Sequence, residues 1–332
     1  MYAIVHDAYG PPDVLRLVEA DPPTPRADEV RIHVFAASVN AGDRHLLRGR
    51  PLLTRLMTGG LLRPRYRTPG VDVAGRVDAV GPAVTRFAPG DAVVADLSEH
   101  GFGGFAEFVC VPEAAVAPKP ARLPFDAAAA LPVAGLAALQ GLRDVGRLRA
   151  GQRVLVNGAS GGVGTAAVQI ATGLGAHVTG TCRTSKVALV HAVGADRVVD
   201  YTQTDVTRER GRYDLILDAG AHRSVWAYRR VLTPEGAYVM VGGAPIRLLQ
   251  TLIAGAGRAL VGGPRMAVLQ SRPTPADLQA LVDLAEAGLL APVVDRRFPL
   301  DEAARALRYY ESGRARGKVI VAVVPVAAGA AA

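Results

Sequence analysis

With 332 residues, half of them apolar, the chain is long enough to build two cored domains. Two cysteines, Cys110 and Cys182, exclude a disulfide framework and a cysteine metal knuckle, and their scarcity fits a reducing compartment. The net charge of +8 does not mark a dedicated nucleic-acid binder, because only three lysines occur and the arginines are scattered along the chain.

The N-terminal stretch lacks a basic region followed by a long apolar run, and no apolar stretch reaches the roughly 18 residues of a membrane span. A cytoplasmic protein with no membrane partner is therefore expected. Residues 30–35, 72–80, 91–95 and 104–111 are short strand-like runs broken by Gly and Pro, so the first part of the chain reads as β-rich with few helices. Its densest basic cluster, Arg63-Pro-Arg-Tyr-Arg67, is a loop that either serves an acidic substrate or is merely solvated. The alanine-rich run 127–142 predicts one linking helix.

An apolar strand from Val154 then enters the turn Asn157-Gly-Ala-Ser-Gly-Gly-Val-Gly164 and a helix of small residues. Glycines at 158, 161 and 164 allow a tight turn, a close approach to a pyrophosphate and close helix–strand packing. The free N–H groups of the new helix would face the phosphates. Strand-like segments at 177–182, 197–201, 214–218 and 237–241 alternate with helix-length stretches, the pattern of a doubly wound parallel sheet. Gly242 and Gly243 follow the last of these, where backbone must lie close to something such as a nicotinamide ring.

Residues 244–264 read as irregular and rich in Gly and Leu, and 266–270 as a sixth strand. A helix is expected at 274–287 with Pro275 in its first turn, then a strand at 293–298, a helix at 301–312 ended by Gly313, and a strand at 319–324. The alanine-rich tail beyond Pro325 is expected to fray.

Cofactor choice follows from a missing residue. An NAD site usually carries an acid about 20 residues beyond the glycines, yet none occurs between Gly164 and Asp196. The end of the second strand instead offers Arg183 and Lys186 around two hydroxyl side chains, which suits the 2′-phosphate of NADPH. The bland alternative is the solvated first turn of a surface helix.

Together with Ser38-Val-Asn-Ala-Gly-Asp43, Pro69-Gly-Val-Asp-Val-Ala-Gly75 and Gly317-Lys-Val-Ile320, the glycine turn makes the chain resemble the medium-chain dehydrogenase/reductase superfamily, specifically its zinc-free quinone oxidoreductase branch. The resemblance implies an α/β fold in which a Rossmann-like domain, residues 125–271, is inserted in a GroES-like substrate domain formed by residues 1–124 and 272–332, with the active site in the cleft between them. It also implies that cofactor contacts fall on Asn157, Ala159, Ser160, Gly161, Gly162, Val163, Gly164, Gly242 and Gly243. Lys186 with Tyr201 reproduces a family Lys–Tyr spacing that holds the 2′-phosphate beside Arg183.

Departures from the family are equally informative. Asn40 and Asp72 stand where zinc-dependent relatives carry metal ligands, and the four-cysteine lobe is missing, so no metal site is expected. Asn40 keeps the family's Asn near the nicotinamide, but His45 replaces its Tyr, and Ala137 replaces a Thr of the linking helix. His45 is either a proton donor or simply a polar residue opening a helix. The expected function is NADPH-dependent reduction of a conjugated carbonyl or quinone, with Asn40, His45 and Tyr66 as candidates for stabilising an enolate oxygen. The alternatives are 1,2-reduction of a ketone or aldehyde in a specialised biosynthetic pathway, and an NADPH-binding protein with a binding role such as RNA binding. A homodimer pairing the 266–270 edge is expected.

Overall fold

A computed structural model describes residues 1–57 and 60–324. The chain divides into two compact units. The first comprises Met1–Val133, Pro273–Glu286 and the segment from Pro292 onward, and the second comprises Ala134–Arg272 with Ala287–Ala291.

The first unit is built on β3 (Glu29–Ser38), β4 (Asp72–Val80), β5 (Ala92–Asp96), β6 (Phe108–Pro112), β7 (Val116–Pro118), β14 (Val294–Pro299) and β15 (Lys318–Ala322). They form one seven-stranded sheet in the order β14-β15-β3-β4-β5-β7, with β6 paired to β3. A separate hairpin, β1 (Tyr2–Val5) and β2 (Arg16–Glu19), was not anticipated from the sequence. Along β3, Val30, Ile32 and Val34 alternate inward and join Val73, Val77, Val93, Phe105, Val319 and Val321 in one core. The helices of this unit are α1 (Ala41–Arg48), α2 (Leu52–Met57), α3 (Phe125–Ala128), α9 (Pro275–Glu286) and α10 (Ala303–Glu311).

The predicted single helix over 127–142 is broken. It becomes α3, then α4 (Pro132–Gln140), then a π-helical turn at Gly141–Val145. Pro132 explains the break, since its ring cannot follow a helical residue without a clash and it donates no N–H. Ala128, Ala129 and Ala130 pack with Ala36, Ala74, Ala117 and Leu278 of the first unit, and the second compact unit begins at Ala134.

The second unit holds six parallel strands: β8 (Arg153–Asn157), β9 (His177–Cys182), β10 (Arg197–Asp200), β11 (Tyr213–Asp218), β12 (Leu232–Met240) and β13 (Arg265–Val268). Their order, β10-β9-β8-β11-β12-β13, is the 3-2-1-4-5-6 order of a doubly wound dinucleotide fold. The order reverses at β8, between β9 and β11, and ligands of such sheets sit at the carboxyl ends of the strands there. Helices α5 (Gly162–Gly173), α6 (Val187–Ala192), α7 (Val225–Arg229) and α8 (Pro245–Val261) complete the unit.

Helix α8 corrects the expectation of an irregular segment at 244–264. Pro245 occupies its first position and Ile246, Leu248, Leu249, Leu252 and Ile253 are adequate helix formers. Gly255, which suggested irregularity, is instead demanded by packing: a Cβ there would lie 2.6 Å from the Met266 carbonyl oxygen of β13. The tail from residue 325, expected to fray, lies outside the described residues. Among the described residues no helix is long and apolar enough to cross a membrane.

Candidate functional site

Four strand ends of the second unit are stitched together by side chains. Thr181 of β9 donates to Asn157 Oδ1 of β8 at 2.6 Å, and Asn157 Nδ2 donates to Asp218 Oδ1 of β11 at 2.7 Å. Tyr238 of β12 donates to Asp218 Oδ2 at 2.7 Å. Asp218 also accepts from the N–H groups of Gly220 and Ala221, which turns the chain away from the sheet. Asn157, expected to contact cofactor, thus spends its amide inside this network and shapes the turn above it. Thr181, Asp218 and Tyr238 had no motif to reveal them.

The glycines of the turn divide by what requires them. Gly158 has φ +78°, a left-handed conformation that disfavours any side chain. Gly164 packs so tightly that a Cβ would sit 2.1 Å from the Gly158 carbonyl oxygen. Gly161 is different: a Cβ there would meet only ordinary contact at 3.6 Å, so packing does not demand it. As the N-cap of α5 it supplies no capping side chain. The helix start is thereby left uncovered by side chain, which fits a pyrophosphate on the first N–H groups. Ala159 and Ser160 are buried, while Gly161, Gly162 and Val163 are half-buried at this edge.

Beyond β12, Gly243 is fixed by its φ of +152° and by Ala221, whose Cβ would be 2.3 Å away from an added Cβ. At Gly242 an added Cβ would meet nothing within 4 Å, so its smallness serves something other than the chain's own packing.

At the end of β9, Arg183 Nε donates to the Tyr201 hydroxyl at 2.7 Å, and both residues are exposed. Lys186 is buried one turn later, its N–H bonded to the Arg183 carbonyl. The acid missing from the sequence window enters from the neighbouring strand. Asp200, at the end of β10, accepts hydrogen bonds from the Thr184 and Thr202 hydroxyls and from Gln203, and these hold its carboxyl below the usual range.

The first unit carries a second polar cluster. Asp72 of β4 is fully buried and accepts from Ser38 Oγ at 2.6 Å, Asn40 Nδ2 at 2.9 Å and the Val133 N–H at 2.9 Å. The buried ammonium of Lys318 completes it, donating to Asn40 Oδ1 at 2.6 Å and lying 3.1 Å from Asp72 Oδ2. Asn40 Nδ2 also reaches the Ser38 carbonyl at 3.1 Å, so the amide expected to face an enolate oxygen is engaged on both sides. Asn40 is therefore built as a positioning residue. Lys318 was visible only as part of the Gly317-Lys-Val-Ile320 motif, with no sign of its partners.

Asp43 acts as the reciprocal cap of α1, accepting from the Asn40 and Gly70 N–H groups at 2.7 Å each. Burial pushes its carboxyl up to about 7. Asp96 of β5 stands opposite Asp72 in the sheet register. Burial, reinforced by the Asp72 charge, pushes Asp96 up to about 6. His45 lies in the last turn of α1 rather than at its opening, with Nδ1 2.8 Å from the Arg50 carbonyl. That contact makes Nδ1 the N–H bearing atom and leaves Nε2 as the outward nitrogen. Tyr66 packs its ring 5.4 Å from that of Phe102 and beneath the Arg65 guanidinium. Asn40, His45 and Tyr66 each make different contacts, so the structure does not assemble them into one hydrogen-bonded group.

The Asp96 environment has a measurable consequence. Its folded-state value lies above the ordinary 3.8, so its contribution is fully present below that pH and is lost as pH rises through about 6. Asp96→Asn is expected to remove an unfavourable contribution of about 3 kcal/mol at pH above 7. Urea unfolding followed from pH 3.8 up through about 6 should show a flatter decline for the variant, and an unchanged slope would contradict the assignment.

Family models match the alcohol dehydrogenase GroES-like domain over residues 26–121 and a zinc-binding dehydrogenase over residues 193–321. A chloroplast envelope quinone oxidoreductase homolog of Arabidopsis thaliana is 32% identical, covering 97% of this chain and 98% of its own. An NADPH-dependent alkenal/one oxidoreductase of the same organism's chloroplast is 33% identical over 98% of this chain and 80% of its own. Among solved structures, the quinone oxidoreductase from Coxiella burnetii superposes with a TM-score of 0.85 at 28% identity, covering 98% of this chain and 99% of its own. A structure titled NAD-dependent alcohol dehydrogenase gives 0.83 at 32%, covering 98% and 100%. The alternation of β8–β13, the glycine turn of α5 and these matches together establish that the chain belongs to the medium-chain dehydrogenase/reductase superfamily, in its quinone oxidoreductase-like branch.

Proposed function

We propose that the protein is a metal-independent reductase that uses NADPH to reduce conjugated carbonyls or quinones. The observation that carries this reading is the side-chain-free N-cap of α5 at Gly161, set at the reversal point of the sheet beside the Arg183–Tyr201 pair. The names of its relatives, a quinone oxidoreductase homolog and an alkenal/one oxidoreductase, support the same substrate class.

The first N–H groups of α5 would hold the pyrophosphate, and Arg183, Lys186 and Tyr201 the 2′-phosphate. Asp200 does not compete for a ribose hydroxyl, because its oxygens are taken by Thr184, Thr202 and Gln203. NADPH, when bound, supplies a hydride to an electrophilic carbon. The chain's own contribution is to offer a donor to the oxygen that gains charge, from the Tyr66 hydroxyl or, in the imidazolium form that carries a proton on both nitrogens, from His45 Nε2, while Asn40 holds the loop before α1 in place. Metal independence is supported by Lys318: its ammonium already neutralises Asp72 and engages Asn40, the two residues at the ligand positions of zinc-dependent relatives. Without a strong Lewis acid, acceptors already activated by conjugation are favoured over simple ketones. The free thiols Cys110 and Cys182, both pushed up to about 11 by burial, fit a reducing compartment such as the cytoplasm.

Calorimetry should find NADPH bound more tightly than NADH, and Arg183→Ala with Lys186→Ala should lower that preference by about tenfold or more, as loss of a charge-assisted contact requires. Undiminished discrimination in the double variant would refute the phosphate assignment. Elemental analysis should find less than one zinc per chain, with turnover indifferent to chelators; a stoichiometric metal would overturn the metal-free reading.

A homodimer belongs to the same proposal. Strand β13 closes one edge of the six-stranded sheet, and a two-fold copy would pair it. Val268→Pro removes a ladder donor from β13. Light scattering should then report a dimer for the parent and a lower mass for the variant, and a monomeric parent at micromolar concentration would exclude the pairing.

A further inference from the structure

The loop that joins β5 to β6 holds three consecutive residues with left-handed backbone: Gly101 at φ +97°, Phe102 at +66° and Gly103 at +108°. Glycine adopts such angles freely, whereas any larger side chain there brings its Cβ against the following carbonyl oxygen. Phe102 is held in place by its own N–H, which donates to the Leu97 carbonyl at 3.2 Å. The loop is also tied at both ends, since the Leu97 N–H donates to the Val71 carbonyl at 2.7 Å and the Gly104 N–H to the Gly70 carbonyl at 3.0 Å. Glycine at position 102 would make the same backbone bonds without strain, so the phenyl group is kept for what it touches.

What it touches is Tyr66. The two half-buried rings meet with centroids 5.4 Å apart and planes tilted by 58°. The loop backbone closes on the same ring, because a Cβ added to Gly101 would lie 3.2 Å from Tyr66 Cε1. The Arg65 guanidinium stands over that ring at 5.5 Å from its centroid, and the Arg67 carbonyl just beyond is fixed by the His6 N–H at 2.9 Å. The ring is thus clamped, yet its hydroxyl is unspent. Tyr9, Tyr213, Tyr238 and Tyr309 donate their hydroxyls to the Gly60 carbonyl, Glu209, Asp218 and Asp295, while the Tyr66 hydroxyl has no hydrogen-bond partner among the described residues.

We infer, on the reductase reading above, that Tyr66 is the hydrogen-bond donor to the substrate oxygen and that Phe102 is its positioning residue, held in a strained conformation to aim it. Strain of this kind collects where a site must be set before its ligand arrives. A ring already fixed by Phe102, Gly101 and Arg65 loses little further freedom when substrate binds, and its hydroxyl stabilises charge as that charge develops. Arg65 adds a positive charge beside the same ring. His45 meets these conditions less well, because one of its nitrogens is spent on the Arg50 carbonyl and the other donates only in the imidazolium form.

The test measures NADPH oxidation by the full chain with p-benzoquinone and with crotonaldehyde as acceptors. Tyr66→Phe removes a single oxygen, so the fold should persist by circular dichroism while kcat falls at least about tenfold and KM changes little. Phe102→Gly should keep its thermal midpoint within a few degrees of the parent's, because relief of backbone strain offsets the lost ring contact, yet its kcat should also fall about tenfold. In the Tyr66→Phe background the same change should cost less than about twofold more, a coupling that a merely structural ring would not show. Phe102→Tyr, which keeps the ring, should recover most of the rate. The parent's kcat in either single variant overturns the inference, and so does a Phe102→Gly loss that persists in full in the double variant. A parent that oxidises NADPH with neither acceptor overturns the reductase reading, and the inference with it.

Discussion

A single buried ammonium fixes the geometry of the first unit. Lys318 starts β15, Asn40 follows β3 and Asp72 starts β4, so the Lys318 contacts tie three adjacent strands at one end of the sheet. Two carboxylates nearby, Asp43 and Asp96, are pushed upward by the same burial, and Lys318 is the cation set among them. An unpaired charge in that setting would cost about 3–5 kcal/mol. The loop carrying Asn40 into α1 and the turn at Gly70 are therefore held by electrostatics as much as by packing. The positive charge that organises this corner comes from a side chain of the protein.

The second unit solves a different problem, that of leaving a surface free for a ligand without leaving polar groups unpaired. The Thr181–Asn157–Asp218–Tyr238 network satisfies the strand ends from within. Above it, Gly158 and Gly164 are demanded by backbone conformation and packing, whereas Gly161 and Gly242 are not. That division separates glycines that backbone conformation and packing require from glycines that they do not, a distinction the GxxGxxG spacing alone does not make.

Much of this was readable in the sequence because it is local. The β8 strand, its turn and the β–α alternation depend on neighbours a few residues apart, and β4, β9 and β13 fall where alternation and turn residues put them. What was missed is non-local or ambiguous. Lys318 lies 278 residues from Asn40, so nothing nearby announces their contact. Asp200 sits one strand away from Arg183, outside the window in which an acid is normally sought. Helix α8 looked irregular because Gly255 and Gly257 lower helix propensity, and tertiary packing on β13 overrode it. Pro132 was a visible breaker inside an alanine run whose composition argued the other way.

The position of Lys318 in the chain also bears on how the protein is made. The nucleotide-binding unit is almost contiguous, from Ala134 to Arg272, and can complete its sheet while later residues are still being synthesised. The sheet of the first unit cannot, because β15 lies inside it between β14 and β3. Until Lys318 leaves the ribosome, Asp72 has no ammonium partner and the edge of β3 facing β15 is bare. The nascent N-terminal segment must wait, through most of translation, for a strand that follows the whole second unit.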